Sequence, residues 1–384
     1  MKQLYTLVLL LIISGTTLFA QEPLTDKILI EFMAPGDPDA QARDYNLLPW
    51  PEEAKAAAYK AAEIWASYLE ITVPIRVKFG WCDNIDEAAI GSPTYTYQYT
   101  DGFYYPLSII NQLLGYDRNT SVVDIICVFK SNLNMGWYFG IDGEIGLTPS
   151  PDDPGAHFFQ KDFLTVALHE ICHGLGFSST MSVTNNEGKW GGVTSGKANI
   201  YDTFLVNHDG IQLIDEDIIP NHSHELANIL TSDNLYWNGK KAIAADDNNI
   251  VKIHAPNIWK QRNSIGHIDG IYSNTENSLM SGLGIEGGTH QHSVGPVILG
   301  MLQDIGWSLK SGATANDKIQ IESSVKVYTT GKDIIVEGAK ANDRVLVCDF
   351  SGRVRYTGYG SGSISLNSGL YIVRIGDKSI KVRL

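Results

Sequence analysis

The sequence predicts an α+β domain, a twisted sheet with helices packed on it, followed by a small all-β sandwich. Three observations carry this reading. Up to Trp307, short apolar strand-like runs are interspersed with amphipathic helical patterns. Beyond it, the apolar residues alternate with period two. Charge and histidine usage change at the same place: residues 21–315 hold 17 Lys+Arg against 36 Asp+Glu, and residues 316–384 hold 11 against 7. All ten histidines fall between His157 and His292. These shifts mark a domain boundary.

Taken in order, Met1–Ala20 reads as a secretory signal peptide, with Lys2 before an apolar run and a cut after Ala20. The first domain spans 21–309. Lys27–Phe32 is a strand-type run. Pro51–Leu69 predicts a helix, with proline at its start and Glu52 and Glu53 in its first turn. Val73–Phe79 alternates, and Asp124–Phe129 reads as a central strand. Residues 80–121 and 132–160, rich in Gly, Tyr, Asn and Asp, read as long ordered loops. Asp162–Leu175 predicts a second helix, Gly188–Ile258 an irregular insertion, and Pro296–Ile305 a third helix. Residues 310–317 are small and polar, a natural linker. In 318–384, Asp333–Glu337, Arg344–Cys348, Leu370–Ile375 and Ile380–Leu384 alternate and are separated by turn signals, which predicts the sandwich.

Composition excludes several classes. With 43% hydrophobic and 19% charged residues the chain is not generally disordered. A net charge of −14 makes it a poor nucleic-acid binder. No second apolar run could span a membrane, so the mature chain is expected to carry no transmembrane segment and to be exported, as a monomer, to the exterior or the cell surface. Four cysteines are too few for a disulfide scaffold, although Cys82 and Cys127 could pair in an exported chain.

Chemistry concentrates in His169-Glu170-Ile171-Cys172-His173. On a helix, residues four apart face the same side, so two imidazoles can reach one zinc ion. Glu170 lies beside that face, where a carboxylate can take a proton from water. Cys172 falls off the face and reads as a packed thiol. The motif continues Gly174-Leu175-Gly176-Phe177, and Gly176 can end the helix in a left-handed conformation. The short-spaced pattern that would put a third histidine three residues after that glycine fails, because Ser179 stands there. Candidates for the third ligand are His208, His222, His224, His254, His267, His290, His292 and Asp202. His267 stands out, because Asn277-Ser-Leu-Met280-Ser-Gly282 follows it closely and Met280 can supply the apolar floor of such a site. Glu225 or Glu276 as ligand would instead indicate a gluzincin-type aminopeptidase, and the Gly176 turn and Met280 argue against that. His290 and His292 could be a surface pair or an adventitious metal site. The acidic clusters Asp152-Asp153 and Asp246-Asp247 suggest calcium, yet neither fits a calcium-binding loop.

Together these pieces resemble the leishmanolysin-type metzincins. The resemblance runs over residues 27–309 and rests on the motif with Gly174-Leu-Gly-Phe177, on His267 after an insertion, on Leu279-Met280, and on Met301-Leu-Gln-Asp304-Ile-Gly306-Trp307. It implies one catalytic Zn2+ held by His169, His173 and His267, Glu170 as general base, Met280 in a Met-turn, and a protein or peptide substrate. It also implies a strand that aligns the substrate, expected within 139–148. The chain departs from the family in lacking a dense disulfide framework and a pro-segment of usual size. Residues Asp349–Arg353, Gly369–Arg374 and Lys381–Arg383 resemble a C-terminal sorting domain of the type IX (Por) secretion system, which implies that machinery as a partner. A surface adhesin or glycan-binding module on a protease-like scaffold is the alternative, and the retained Glu170 argues against it.

Overall fold

The computed structural model describes residues 25–144, 146–149, 157–191, 196–311, 326–330, 332–341, 343–349, 354–375 and 378–384. The signal peptide reading of 1–20, Asp152-Asp153 and most of the linker lie outside them. The chain is mixed α+β, as its pattern predicts.

The main sheet assembles from strands β1 (Ile28–Phe32), β2 (Ile75–Cys82), β3 (Ala89–Pro93) and β4 (Ile125–Lys130), in the order β1-β2-β4-β3. β1, β2 and β4 are parallel, with Ile28 opposite Ile75 and Val77 opposite Ile125. β3 runs antiparallel at the edge, Ile90 opposite Val128. Leu47–Leu48 adds a two-residue strand against the end of β2.

Alternation along the strands builds two cores. Val77, Phe79, Cys127 and Phe129 face the larger one, while Cys82, Ile126 and Val128 face a smaller one with Met33 and Val123. This decides the cysteine question. Cys82 and Cys127 point to opposite faces of the sheet and are both free, so the pairing left open by their export context does not form.

Helix α1 (Lys55–Tyr68) is preceded by a 3-10 turn at Glu52–Ala54, and its alanines and Trp65 enter the larger core. Helix α2 (Leu107–Leu114) closes on Gly115 with φ 75°. Helix α3 (Phe163–Gly174) carries the histidine motif through that core, with every residue but His173 buried. The Trp65 indole donates to Leu168 O at 3.0 Å and locks α1 against α3. Helix α4 (Pro296–Asp304) follows, and the Trp307 indole donates to Leu175 O at 2.8 Å, tying the chain after α4 to the end of α3.

Both expected loop regions contain regular structure: β3 and α2 fall within 80–121, and short strands at Trp137–Tyr138, Leu147–Pro149 and His157–Phe159 fall within 132–160. The insertion is likewise not irregular throughout. Leu205–Asn207, Leu235–Trp237 and Val251–Ile253 form a three-stranded antiparallel sheet, accompanied by short helices at His224–Leu230 and Lys240–Ala245.

In the tail, Lys326–Thr330, Asp333–Glu337 and Gly362–Ser365 form one antiparallel sheet. Val354–Tyr359, Arg344–Asp349, Leu370–Ile375 and Lys378–Arg383 form another. Both contribute to one apolar core of Ile334, Val336, Val345, Val347, Ile364, Val373 and Val382, distinct from the cores of the first domain.

Candidate metal centre

Asp162 starts α3 as its N-cap, its carboxylate accepting from Thr165 N at 2.7 Å and Thr165 Oγ1 at 2.6 Å. From there the helix carries His169 and His173 one turn apart. At its far end Gly176 has φ 109°, and Phe177 N donates to Cys172 O at 3.2 Å, so the chain reverses as the glycine predicts. A Cβ at Gly176 would sit 3.0 Å from Pro106 Cγ and 3.1 Å from Ile305 Cδ1, which adds a packing reason for glycine.

His267 reaches the same point from 98 residues away. Its segment is tied on several sides. His254 N donates to His267 O at 2.9 Å, Ile268 N to Met280 O at 2.9 Å, and Gly282 N to Ile268 O at 2.8 Å. Tyr201 Oη donates to Ile265 O at 3.0 Å, and Ile265 itself is held at φ 58°, a rare conformation for a β-branched residue.

The three imidazoles converge through their Nε2 atoms. His173 Nε2 lies 3.1 Å and His267 Nε2 3.2 Å from His169 Nε2. Each Nδ1 meets a backbone carbonyl: Leu279 O at 2.6 Å for His169, Phe177 O at 2.7 Å for His173, Asn263 O at 2.8 Å for His267. A carbonyl only accepts, so every Nδ1 carries the proton and every Nε2 presents a lone pair. Burial pushes the His169 imidazole down to about 3 and that of His173 to about 4, and it holds His267 well below its ordinary value. Three neutral imidazoles therefore aim three lone pairs at one point.

Met280 is fully buried next to Leu279, whose carbonyl orients His169. Glu170 is buried at the cleft beside the trio. Burial pushes its carboxyl up to about 8, while the Gly91 N–H of β3 pulls the other way.

His169, Glu170, His173 and His267 line a cleft of about 630 Å³. It is lined by the edge strand β3 with Glu87 and Ala88, by Trp259 and Gln261–Ser264, and by Leu283–Ile285; Arg262 pairs with Glu87 at 3.1 Å. Lys161 lines it too, its ammonium donating to Ile285 O. None of the described residues of 139–148 lines the cleft; the edge strand β3, which packs against α3, does.

The other candidates fall elsewhere. His208 is exposed, His222 pairs with Glu187 at 3.1 Å, and His224 Nδ1 faces Asn186 O at 2.5 Å. His254 is not among the converging groups. Glu225 and Glu276 are exposed and outside the trio. Asp202 is fully buried but is spent on Ser179 Oγ at 2.5 Å and Thr180 N and Oγ1 at 3.2 and 2.5 Å. Ser179, standing where a short-spaced third histidine would be, thus anchors the chain as it leaves α3. Asp246 accepts from Tyr272 Oη at 2.7 Å and belongs to no metal-capable group among the described residues. His290 and His292 do gather with a carboxylate, Asp162, at the start of α3.

Compared with known proteins, the chain matches no family model, no curated protein and no solved structure. Function is therefore inferred from the site.

Proposed function

We propose that the chain is an exported zinc-dependent endopeptidase, and the observation that carries this reading is the convergence of three proton-free Nε2 atoms beside a buried glutamate. Lone pairs 3.1–3.2 Å apart repel unless a cation lies among them. An all-imidazole set of three suits zinc and leaves a coordination position open, as hydrolysis requires. His169, His173 and His267 would hold the ion through Nε2, and the three backbone carbonyls behind them fix each ring's tautomer and orientation. Bound zinc would supply Lewis acidity toward a water and a peptide carbonyl.

The protein's own groups do the rest. Glu170, adjacent to the trio and poorly solvated, takes the proton from the attacking water and passes it to the leaving amine nitrogen. The Gly91 N–H steadies that carboxylate. Among the described residues strand β3 pairs with β4 alone, and its other edge borders the cleft, so an extended peptide can add to it by main-chain hydrogen bonds. That geometry favours cutting within a chain. Among the described residues no helix is long and apolar enough to cross a membrane. The tail, with its own two-sheet core, fits a separable unit read by a type IX secretion machinery.

The test is cleavage of unfolded casein or gelatin by the full chain beside Glu170→Ala and His267→Ala. Glu170→Ala should keep the zinc and lose the cleavage; His267→Ala should lose both while the fold persists. Folded, zinc-loaded wild type that leaves both substrates intact would turn the reading toward a surface-binding module on this scaffold. For the tail, residues 310–384 fused to an inert reporter should direct its release from a host with that system, and retention inside refutes the assignment.

A further inference from the structure

We propose that Asp162, His290 and His292 form a second metal site, which takes a divalent transition ion such as zinc and joins the start of the active-site helix to the loop before α4. The site lies apart from the histidine trio. Asp162 precedes His169 by seven residues, about 10 Å of helix, which is too far for the two ions to share a substrate atom.

The case begins with an imbalance on one carboxylate. Asp162 is fully buried. Its Oδ1 accepts three hydrogen bonds, from Thr165 N at 2.7 Å, Thr165 Oγ1 at 2.6 Å and His292 Nε2 at 2.8 Å. Its Oδ2 has none. A buried carboxylate oxygen without a partner carries a desolvation cost that native structures rarely leave uncompensated. A neighbouring polar atom is equally orphaned: His290 Nδ1 is buried, lacks a partner and lies 3.6 Å from that oxygen. This is too long for a hydrogen bond. It is close to the separation of two ligands around one tetrahedral zinc, about 3.4 Å for bonds near 2.1 Å. Ligand atoms of all three residues lie within 4.8 Å of one another.

The donor set is chemically coherent. One carboxylate and two imidazoles suit zinc and its neighbours in the first transition row, and are a poor set for calcium. His292 binds after its ring proton moves from Nε2 to Nδ1; Oδ1 then keeps both bonds from Thr165, and the helix cap survives. The His290 and His292 side chains keep partial exposure, 15% and 21%.

The site would act on position. Gln291 N, between the two histidines, already donates to Thr165 Oγ1 at 2.9 Å. An ion bound here adds strong bonds from the same loop to the N-cap of the helix that presents His169, Glu170 and His173. The cleft wall Leu283–Ile285 belongs to the chain just before that loop.

The experiment is a Co2+ titration of the full chain, followed by absorption in the visible region, with folding checked by circular dichroism. A His173→Ala/His267→Ala chain, which lacks the trio, should still take up one equivalent of Co2+. Adding His290→Ala/His292→Ala should abolish that equivalent. Asp162→Asn in the same background should abolish it too, and asparagine caps helices well enough to keep the fold. The proposal is overturned if the chain lacking the trio takes up no cobalt, or if its uptake survives replacement of both histidines. Because the measurement is made without the trio, failure of the peptidase reading would leave it unaffected.

Discussion

Strand β3 and helix α3 approach so closely at one point that a single methyl group tests the whole arrangement. A Cβ added at Gly91 would lie 2.1 Å from Glu170 O, 2.6 Å from its carbonyl carbon and 2.7 Å from its Cα. All three are backbone atoms of a helix buried in the core, so no side chain can swing aside. Restoring ordinary contact requires strand and helix to part by roughly 1 Å, and overpacking of this kind costs typically 1–3 kcal/mol. In a domain this large that lowers the melting temperature by roughly 2–5 °C. The same shift withdraws the Gly91 N–H from Glu170 and moves the free edge of β3. A displacement of about 1 Å in a group that positions substrate can cost about 100-fold in rate. Gly91→Ala should therefore lose stability modestly and casein cleavage severely, measured by thermal melts and by initial rates on zinc-loaded protein. Gly362→Ala, where a Cβ meets nothing within 4 Å, is the control and should change neither. If Gly91→Ala melts within 1 °C of wild type and cleaves at its rate, the close approach is wrong, and with it the assignment of β3 as the substrate-facing strand.

Two further outcomes follow from carboxylates held by hydrogen bonds. Asp304, at the end of α4, accepts from the Trp237 indole at 3.0 Å, Lys241 N at 2.9 Å and Ala242 N at 3.1 Å, so it caps the helix Lys240–Ala245. Asp304→Ala leaves those three donors without their acceptor and should cost about 3 kcal/mol in urea unfolding; a loss under about 0.5 kcal/mol would show that the insertion does not depend on this anchor. Asp124 is buried against Asn111 and Arg76 N, and burial pushes its carboxyl up to about 6. Its folded value lies above its unfolded one, so its protonation favours the folded state, fully below about pH 4 and not at all well above pH 6. Asp124→Asn removes this titration, so the stability of wild type relative to the variant should rise by up to about 3 kcal/mol between pH 7.5 and 4. A difference that stays flat with pH, measured by urea unfolding at both ends, would refute the shift.

The parts legible from sequence are those whose cause is local. A 3.6-residue period, Asp162 as cap and Gly176 as stop define α3 without reference to anything outside it, and its two histidines share a face by geometry alone. Period-two alternation likewise exposes the tail strands Asp333–Glu337, Arg344–Asp349, Leu370–Ile375 and Lys378–Arg383. Ala89–Pro93 failed that test because Gly91 and Pro93 read as loop residues; the glycine is there for contact with α3, and that contact is not visible along the chain. Leu107–Leu114 carried a usable signal, apolar residues ended by Gly115, but was submerged in a stretch of turn-forming residues.

His267 shows how far a local pattern can stand in for a distant one. No periodicity links it to His169. What links them is the turn at Leu279–Met280, whose two carbonyls do different jobs: Leu279 O orients the His169 ring, and Met280 O accepts from Ile268 N, next to His267. One short turn therefore sets the distance between the helix and the third imidazole. Met280, fully buried, holds that turn in place by packing. The sequence places a methionine shortly after a histidine. The structure supplies the reason that the pair belongs to the helix: the backbone of the methionine turn hydrogen-bonds both halves of the site at once.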